Sequence, residues 1–107
     1  MISSTAMIEH IDIMLLESQP MQVRVVVHGY LPDSCTRLDR PVSKTVQNTF
    51  YITLPTVRPG GPVCAQMLVP FKEIVALETA GLPPGKYTVN INGITETFTL
   101  AAQQPVP

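Results

Sequence analysis

The amino-acid sequence predicts an all-β protein, a sandwich of about seven short antiparallel strands, and three observations support this. Runs in which apolar and polar residues alternate recur along the chain, with turn-forming residues between them. Eleven prolines and six glycines are many for a helical protein and suit short strands joined by fixed turns. With 45% hydrophobic and only 14% charged residues, the 107-residue chain can bury one core, which argues against disorder and against a second domain.

The segment 81–100 has the clearest strand pattern in the chain. Asn92 and Gly93 lie between two alternating runs, and a type I′ turn needs the positive φ that these two residues tolerate best. Such a turn places one mostly apolar set of side chains on a single face. The cross-strand pairs are then Ile91 with Ile94, Val89 with Glu96, and Tyr87 with Phe98. Glu96 is the charged exception, and we expect it at the rim of the sandwich, where its carboxylate reaches water.

A rigid corner precedes this hairpin. Residues 82–85, Leu-Pro-Pro-Gly, lead into a strand that opens with Tyr87. The penultimate strand of an immunoglobulin-like sandwich commonly starts with such a tyrosine, whose hydroxyl bonds back to the corner. The sequence therefore predicts an immunoglobulin-like β-sandwich in which Tyr87 has a structural role.

The other strands follow from local patterns, with prolines and other turn formers between them. We predict them, in chain order, at residues 8–17, 22–31, 36–46 as an edge strand or a bulged pair, 50–54, and around 72–78. The spacing of the last segment also fits a helix from Phe71 to Ala80, but its β-branched pair favours a strand. Residues 1–7 are predicted to be a disordered lead-in, 8–101 the sandwich domain, and 102–107 a tail or linker.

The charge balance and the hydropathy pattern argue against several classes of partner. A formal net charge of −1 gives no field that would attract nucleic acid or anionic lipid. No run approaches the roughly 18 apolar residues of a membrane span. The N-terminus lacks a basic segment followed by an uninterrupted apolar one, so it is not a signal peptide as written. The chain is then either intracellular or the mature part of an exported protein.

Cys35 and Cys64 bear on that choice. In a sandwich of antiparallel strands, the connections that contain them emerge at the same end, so the two sulfurs start near each other. A disulfide would close a loop of about thirty residues and stabilise the fold by about 3–4 kcal/mol. Such bridges persist in oxidising compartments. The alternatives are two buried reduced thiols in a cytosolic protein, or metal ligation, for which the chain lacks a four-ligand set.

No arrangement of residues predicts catalysis or a bound cofactor. His10 and His28 are the two histidines, and their spacing indicates neither a metal site nor a catalytic pair, although outward-facing positions on adjacent strands would make them neighbours. The serines have no nucleophile-elbow motif around them. Gly60 and Gly61 lie between prolines, with no lysine or helix start behind them. We therefore predict no enzyme, and no catalytic, cofactor-binding or metal-binding residue.

Four stretches together resemble an uncharacterised family of bacterial secreted proteins and lipoproteins. They are VRVVVHGYLPDSCT, NTFYITL, CAQMLVPFKEIVAL and GLPPGKYTVNINGITETFTL, and the resemblance extends from Ile8 to Leu100. Members of that family have a cysteine in an LPDxC loop, a second one before an xxLxPF stretch, and a GLPxGxYxVxVNG hairpin.

The matching positions here are Cys35 and Cys64 for the cysteine pair, and Tyr87, Asn92 and Gly93 for the hairpin. The resemblance implies an immunoglobulin-like sandwich and export from the cytoplasm, with a lipid anchor on the unprocessed precursor as one form of export. It implies no enzymatic residue. Glu96 departs from the family pattern, in which this position holds a small residue.

The sequence therefore predicts a non-catalytic extracytoplasmic module, secreted, periplasmic or at the cell surface, that binds a protein partner or a copy of itself. Its contact surface is expected at the disulfide-tied end, where rigid loops lose little entropy on binding. The residues expected there are Tyr30, Leu31, Pro32, Asp33, Arg58, Pro59, Gly60 and Gly61, with Asn92-Gly93 alongside. Two alternatives remain: a peptidase inhibitor that uses the loops around Cys35 and Cys64, and a filament subunit whose residues 8–17 pair with the next copy.

Overall fold

The computed structural model describes residues 2–17, 21–60 and 63–101. This part of the chain contains ten strands and no helix, which confirms the predicted all-β class. In chain order the strands are β1 (Ile2–Thr5), β2 (Met7–Leu16), β3 (Gln22–Leu31), β4 (Arg37–Leu38), β5 (Val42–Val46), β6 (Thr49–Thr53), β7 (Pro55–Arg58), β8 (Val69–Leu77), β9 (Gly85–Ile91) and β10 (Ile94–Leu100). They form three sheets, with the orders β10-β9-β6-β5, β2-β3-β8 and β1-β7-β4. A helix suited to crossing a membrane is absent from these residues.

The hydrophobic core lies between the four-stranded sheet and the β2-β3-β8 sheet. In β3, Val23, Val25 and Val27 are buried while Arg24 between them is exposed, which is the alternation expected of a strand with one buried face. The facing sheet contributes alternate residues from β6, β9 and β10 and the residue after β6, namely Phe50, Ile52, Leu54, Tyr87, Val89, Ile91, Phe98 and Leu100. The two inner faces form one cluster, so the molecule has the single core of a sandwich.

The β9–β10 hairpin has the register that its turn predicts. Ile91 pairs with Ile94 across a two-residue turn, and Asn92 and Gly93 have φ angles of 51° and 93°. Both central residues therefore have the positive φ of a type I′ turn. Glu96 is exposed on β10, which is an edge strand, so its carboxylate reaches water as expected.

One strand pair is parallel, which corrects the prediction of antiparallel strands throughout. β6 pairs in parallel with β9, with Phe50 opposite Val89 and Ile52 opposite Ile91. After β7 the chain crosses to the other sheet as β8, and it then returns as β9 in the direction of β6. The strand in the other sheet thus supplies the crossover that parallel pairing requires.

Residues 2–5 and Met7 belong to strands and Ala6 is the break between them, so the predicted disordered lead-in is wrong for residues 2–7. β1 pairs antiparallel with β7 along its whole length. Ala6 is buried, and its N–H donates a 2.9 Å hydrogen bond to the Leu54 carbonyl. The physical reason is that β7 offers backbone groups that need partners, and a polar segment without a hydrophobic pattern can still supply them. Residue 1 and the predicted tail at 102–107 lie outside the described residues.

Two segments with weak sequence patterns also form strands. Residues 36–46 contain the short strands β4 and β5, and β5 is the exposed outer strand of its sheet. Residues 69–77 form β8 instead of the alternative helix, and they pair antiparallel with β3. Pro70 is accommodated because β8 is an edge strand, one of the places in a sheet where proline is tolerated.

Candidate functional site

The loops after β3 and after β7 are held together by the predicted disulfide. The sulfurs of Cys35 and Cys64 are bonded, and their Cα atoms lie 5.6 Å apart. Two hydrogen bonds reinforce the link: the Ser34 N–H donates to the Ala65 carbonyl at 3.1 Å, and the Ala65 N–H donates to Ser34 Oγ at 2.9 Å. Both sulfurs are committed to the bridge, so neither is available as a nucleophile or as a metal ligand.

Asp33 organises the turn that follows β3. Its Oδ1 accepts hydrogen bonds from the Cys35 N–H at 2.9 Å, the Thr36 N–H at 2.9 Å and the Thr36 hydroxyl at 2.8 Å. Its Oδ2 lies 3.1 Å from Nε of Arg58. The pKa of Asp33 is held below its ordinary value of 3.8, first by the Thr36 hydroxyl and then by the two N–H groups and the Arg58 charge. Burial, the second-largest effect, opposes them by raising the pKa. A charged carboxylate is therefore part of the turn at neutral pH.

Arg58 and Tyr30, both expected to contact a partner, are engaged within the chain. The Arg58 Nε forms an ion pair with Asp33, and among the described residues its N–H has no acceptor in hydrogen-bond geometry. The Tyr30 hydroxyl donates a hydrogen bond to the Glu9 carboxylate, and this bond and the Glu9 charge raise the pKa of Tyr30. Substituting either residue would therefore disturb an internal contact as well as any external one.

A groove of about 280 Å³ opens beside the Asp33 turn, between β1 and the loop after β3. Met7 and Pro32 contribute apolar side chains to its lining, while Thr36 and Arg58 contribute polar ones. Leu31 has a different place from the one predicted. It is the last residue of β3 and is 9% exposed, because it continues the inward-facing set of that strand, so it is a core residue and not a contact residue.

Large apolar side chains are exposed at this end of the molecule. We call Met7, Pro32, Met67 and Leu68 the apolar rim. Met7 and Leu68 are each 59% exposed and Met67 is 56% exposed. Val69 pairs with Leu31, so Leu68 lies beside Pro32, which shares the groove with Met7. Met7 and Pro32 thus line the groove, and Met67 and Leu68 lie in the segment that leads from Cys64 to β8.

Three of the predicted contact residues are exposed at this end of the molecule, and their contact role stays a prediction. Pro32, Pro59 and Gly60 are exposed at the disulfide-linked end, and the last two line a second cavity beside Cys35. Gly61 lies outside the described residues. Met7, Met67 and Leu68 were missed because the first was assigned to the lead-in and the others were read as ordinary apolar positions before a strand. The available signal for Met67 and Leu68 was Pro70, which follows Leu68 by two residues.

The Asn92-Gly93 turn is fixed by the side chain of its own asparagine. It is level with Leu54, and the four residues of β7 separate that point from Pro59. Oδ1 of Asn92 accepts from the Leu54 N–H at 2.8 Å, and Nδ2 donates to the carbonyls of Ala6 at 2.8 Å and Leu54 at 3.0 Å. One side chain thus connects the turn to the breaks between β6 and β7 and between β1 and β2. We call this arrangement the Asn92 junction.

Tyr87 has the contacts of a tyrosine corner. Its hydroxyl donates a 2.6 Å hydrogen bond to the Pro83 carbonyl. Its ring is buried and stacks on Phe98 with the centroids 5.7 Å apart. Both contacts are internal, so the side chain stabilises the fold and presents nothing to a ligand.

His10 and His28 are neighbours on the outer face of the β2-β3-β8 sheet. They pair across β2 and β3, and Asp12 lies on the same face. Each of the three residues offers one ligand atom, and these atoms lie within 4.8 Å of one another. Among the described residues a second cluster, Asp33, Cys35 and Cys64, also has ligand atoms close together, but its two sulfurs are bonded to each other. The set that could hold a metal ion is therefore His10, Asp12 and His28.

A family model now places the fold among known sequences. The model described as ORF11 beta-sandwich domain matches residues 25–100. The chain belongs to the ORF11 beta-sandwich domain family. The matched segment begins within β3 and includes the disulfide, Tyr87 and the Asn92-Gly93 turn, so the predicted β-sandwich with one disulfide is confirmed. No solved structure matches the chain.

Relatives of this ORF11 beta-sandwich protein occur in the bacterium Herpetosiphon aurantiacus. One, named as an uncharacterized 10.2 kDa protein in the HgiCIIM 5′ region, is 37% identical over 94 residues, which are 88% of this chain and 99% of the relative. Two others, uncharacterized 10.2 kDa proteins in the HgiBIM and HgiEIM 5′ regions, are each 35% identical over 83 residues, 78% of this chain and the whole of each relative. The predicted resemblance to uncharacterised bacterial proteins is thus confirmed, while their secretion or lipid anchoring stays a prediction.

Proposed function

We propose that this ORF11 beta-sandwich protein is a non-catalytic module that works outside the cytoplasm and binds another protein through the apolar rim. The observation that carries the proposal is the exposure of Met7, Met67 and Leu68 beside loops that are fixed by a disulfide. Methionine is enriched at protein interfaces, and their fully buried cores are more apolar than the rest of the surface. A surface that is already rigid loses little conformational entropy on binding.

The groove supports a partner of defined chemistry. Its apolar lining, Met7 and Pro32, suits an aliphatic or aromatic side chain inserted from the partner. Its polar lining, with Arg58 and Thr36, suits hydrogen bonds that orient the partner's backbone beside that side chain. We infer a partner segment that presents one apolar anchor within an otherwise polar stretch.

The test is a charge introduced into the apolar rim and the same charge introduced far from it. A photoreactive amino acid at Met67 captures the partner in the native host, and mass spectrometry identifies it. Leu68→Asp should then weaken binding of that partner by at least about tenfold, because it places a charge in a desolvated contact. Val46→Asp is the matched control. Val46 is also exposed, but it is the last residue of β5, before the turn that leads to β6, and is not part of the apolar rim.

The outcome is read together with the stability of each variant. Both variants should keep the wild-type urea midpoint, because both side chains are exposed. Equal binding by Leu68→Asp and wild type would remove the apolar rim as the contact surface. Capture of a second copy of this chain at Met67 would identify the partner as the protein itself, and sedimentation would then show a dimer that Leu68→Asp dissociates.

The disulfide supports a location outside the cytoplasm, because such bonds persist in oxidising compartments. Protein isolated from its host under acid quench and then alkylated gives the test. A mass with no alkyl group before reduction, and two after it, is the expected result. Alkylation of both cysteines before reduction would place the native protein in a reducing compartment.

The two alternatives predicted from the sequence receive less support. β2 pairs with β3 of the same chain along its length, so a filament built by exchanging residues 8–17 would first have to break that pairing. The inhibitor alternative needs loops that extend into a protease cleft, whereas the Ser34–Ala65 hydrogen bonds hold these two loops against each other. Incubation with papain-like and subtilisin-like proteases tests it, and we expect no inhibition at micromolar concentrations.

A further inference from the structure

We propose that His10, Asp12 and His28 form a binding site for a divalent transition-metal ion, with zinc as the reference ion. The site lies on the outer face of the β2-β3-β8 sheet. It shares no residue with the apolar rim, so it goes beyond the proposed function and does not depend on it.

A β-bulge brings the three side chains together. The register between β2 and β3 shifts between Ile8 and His10, so that His10 pairs with His28. Asp12 follows two residues later and therefore projects from the same face of the strand. The two imidazole rings stack with centroids 4.4 Å apart and planes inclined by 16°. The bulge thus places both histidines and one carboxylate on a single patch.

The ligand atoms already converge. Oδ2 of Asp12 lies 3.5 Å from Nε2 of His10 and 3.7 Å from Nε2 of His28. Two imidazole nitrogens and one carboxylate oxygen suit zinc, nickel or copper, whereas calcium and magnesium prefer sets made of oxygen alone. Three protein ligands leave one tetrahedral position of a zinc ion for water or for a group from a partner.

Binding requires the side chains to move by rotation. Ligand atoms on a tetrahedral zinc ion lie about 3.3 Å apart, so the present atoms have to approach a little, and the stacked rings have to turn until both nitrogen lone pairs point at the ion. The side chains of His10, Asp12 and His28 are 51%, 64% and 31% exposed, so no packed neighbour has to be displaced. The strand pairing holds the backbone in place during this adjustment.

The neighbours of the cluster have opposite effects on a cation. Val26, which pairs with Asp12, is buried although it is on the outer face, so the carboxylate has an apolar neighbour. Lys72 pairs with His28 on β8, and its ammonium group opposes a bound cation. Removing the Lys72 charge should therefore strengthen metal binding.

The chain is well suited to a clean test. It contains two histidines, and both of its cysteines form the disulfide. Any binding that depends on imidazole must therefore arise at this cluster. The protein has to be prepared without a histidine tag, because a tag would bind the same ions.

The experiment is calorimetric titration of the untagged protein with zinc and with nickel at a pH above neutrality. We expect one ion per chain, an affinity at least about tenfold lower in His10→Gln and in His28→Gln, and a higher affinity in Lys72→Gln. Asp39→Asn is the control for Asp12→Asn, because Asp39 is exposed and bonds the neighbouring Arg40 N–H. Only the Asp12 variant should lose affinity.

Equal affinities of wild type and both histidine variants would overturn the proposal, as would no binding of either ion at millimolar concentration. If a histidine variant fails to fold, as circular dichroism would reveal, nuclear magnetic resonance of the wild type decides. One equivalent of zinc should shift the Nε2 signals of both imidazoles together. A shift of one signal alone, or of neither, would overturn the site.

Discussion

The disulfide-linked end and the Asn92 junction both connect distant parts of the chain, but they do so in different ways. At the disulfide-linked end, the Cys35–Cys64 bond is accompanied by the Ser34–Ala65 hydrogen bonds and by the contacts of Asp33. At the junction, one carboxamide makes all three side-chain hydrogen bonds. The first region therefore has several links besides the covalent bond, whereas loss of the Asn92 carboxamide leaves the junction to backbone hydrogen bonds such as that from the Ala6 N–H to the Leu54 carbonyl. A single substitution should cost more stability at the junction than loss of the covalent bond costs at the other end.

The largest effect is expected from Asn92→Asp. The new carboxylate keeps an acceptor for the Leu54 N–H but loses the N–H groups that now donate to the Ala6 and Leu54 carbonyls. The Ala6 carbonyl then lacks that donor, at a cost of about 1–3 kcal/mol. The Leu54 carbonyl keeps the Ala6 N–H as its donor, but the negative oxygen faces both carbonyls. We expect the free energy of unfolding to fall by about 4 kcal/mol, measured by urea denaturation followed by circular dichroism.

Asn90→Asp is the matched control for that substitution. The Asn90 side chain accepts a 2.9 Å hydrogen bond from the Gly93 N–H, and aspartate preserves that acceptor. Asn92→Gly separates the hydrogen bonds from the backbone, because glycine adopts the φ of 51° without strain. It should lose about 3 kcal/mol through the three missing bonds. A loss for Asn92→Asp no larger than the loss for Asn90→Asp would contradict the role of the junction.

Removal of the disulfide is expected to have the next largest effect. For the sequence separation of 29 residues, loss of the cross-link should lower the free energy of unfolding by about 3–4 kcal/mol in the chain-entropy model. The Cys35→Ala/Cys64→Ala variant should nevertheless fold, because the Ser34–Ala65 hydrogen bonds and the Asp33–Arg58 ion pair still join the two connections. Its circular dichroism spectrum should match that of the wild type. An unfolded double variant would show that these links are insufficient.

The two regions also differ in how far the sequence predicted them. The disulfide followed from strand order, because that order brings the Cys35 and Cys64 connections to one end of a sandwich. The Asn92-Gly93 turn was predicted with the correct register, because type I′ geometry selects those residue types. The hydrogen bonds of the Asn92 side chain were not predicted. The turn's need for a positive φ is by itself enough to explain an asparagine at that position, so the sequence gives no sign of a further role.

Three other features were beyond local sequence patterns for physical reasons. β1 is polar and pairs with β7, a strand more distant along the chain than any local pattern can reach. Apolar and polar residues alternate with the same two-residue period in parallel and in antiparallel strands. The alternation therefore could not predict that β6 pairs in parallel with β9. The histidine cluster depends on the bulge after Ile8, which sets the pairing of His10 with His28.

Tyr87→Phe tests a single hydrogen bond outside both regions, and its expected effect on the free energy of unfolding is intermediate. The substitution removes the hydroxyl that donates to the Pro83 carbonyl and keeps the ring that stacks on Phe98. The expected loss in the free energy of unfolding is about 1 kcal/mol, well below the losses at Asn92 and at the disulfide. Tyr51→Phe is the control, because the Tyr51 side chain is exposed. A loss as large as that of Asn92→Asp would mean that the corner, and not the junction, is the weakest point of the fold.

The smallest effect concerns the pH dependence of stability at the disulfide-linked end. The pKa of Asp33 is held below its ordinary 3.8, chiefly by the Thr36 hydroxyl, so folding favours the charged carboxylate. Its stabilisation is therefore fully present at neutral pH and is lost as the pH falls from about 5 through the lowered pKa. The urea midpoint of wild type should exceed that of Asp33→Asn at pH 7, and the difference should shrink in acid.

Asp39→Asn shows how much of this pH dependence follows from removing any carboxylate, because the exposed Asp39 side chain bonds the adjacent Arg40 N–H. The effect of Asp33→Asn should remain modest, since the new carboxamide oxygen would still accept hydrogen bonds from the Cys35 and Thr36 N–H groups and the disulfide would still join the loops. A difference that stays constant from neutral pH into acid would mean that the Asp33 charge contributes nothing. A difference approaching that of the double cysteine variant would mean that the end has one dominant tie, and the contrast with the Asn92 junction would no longer hold.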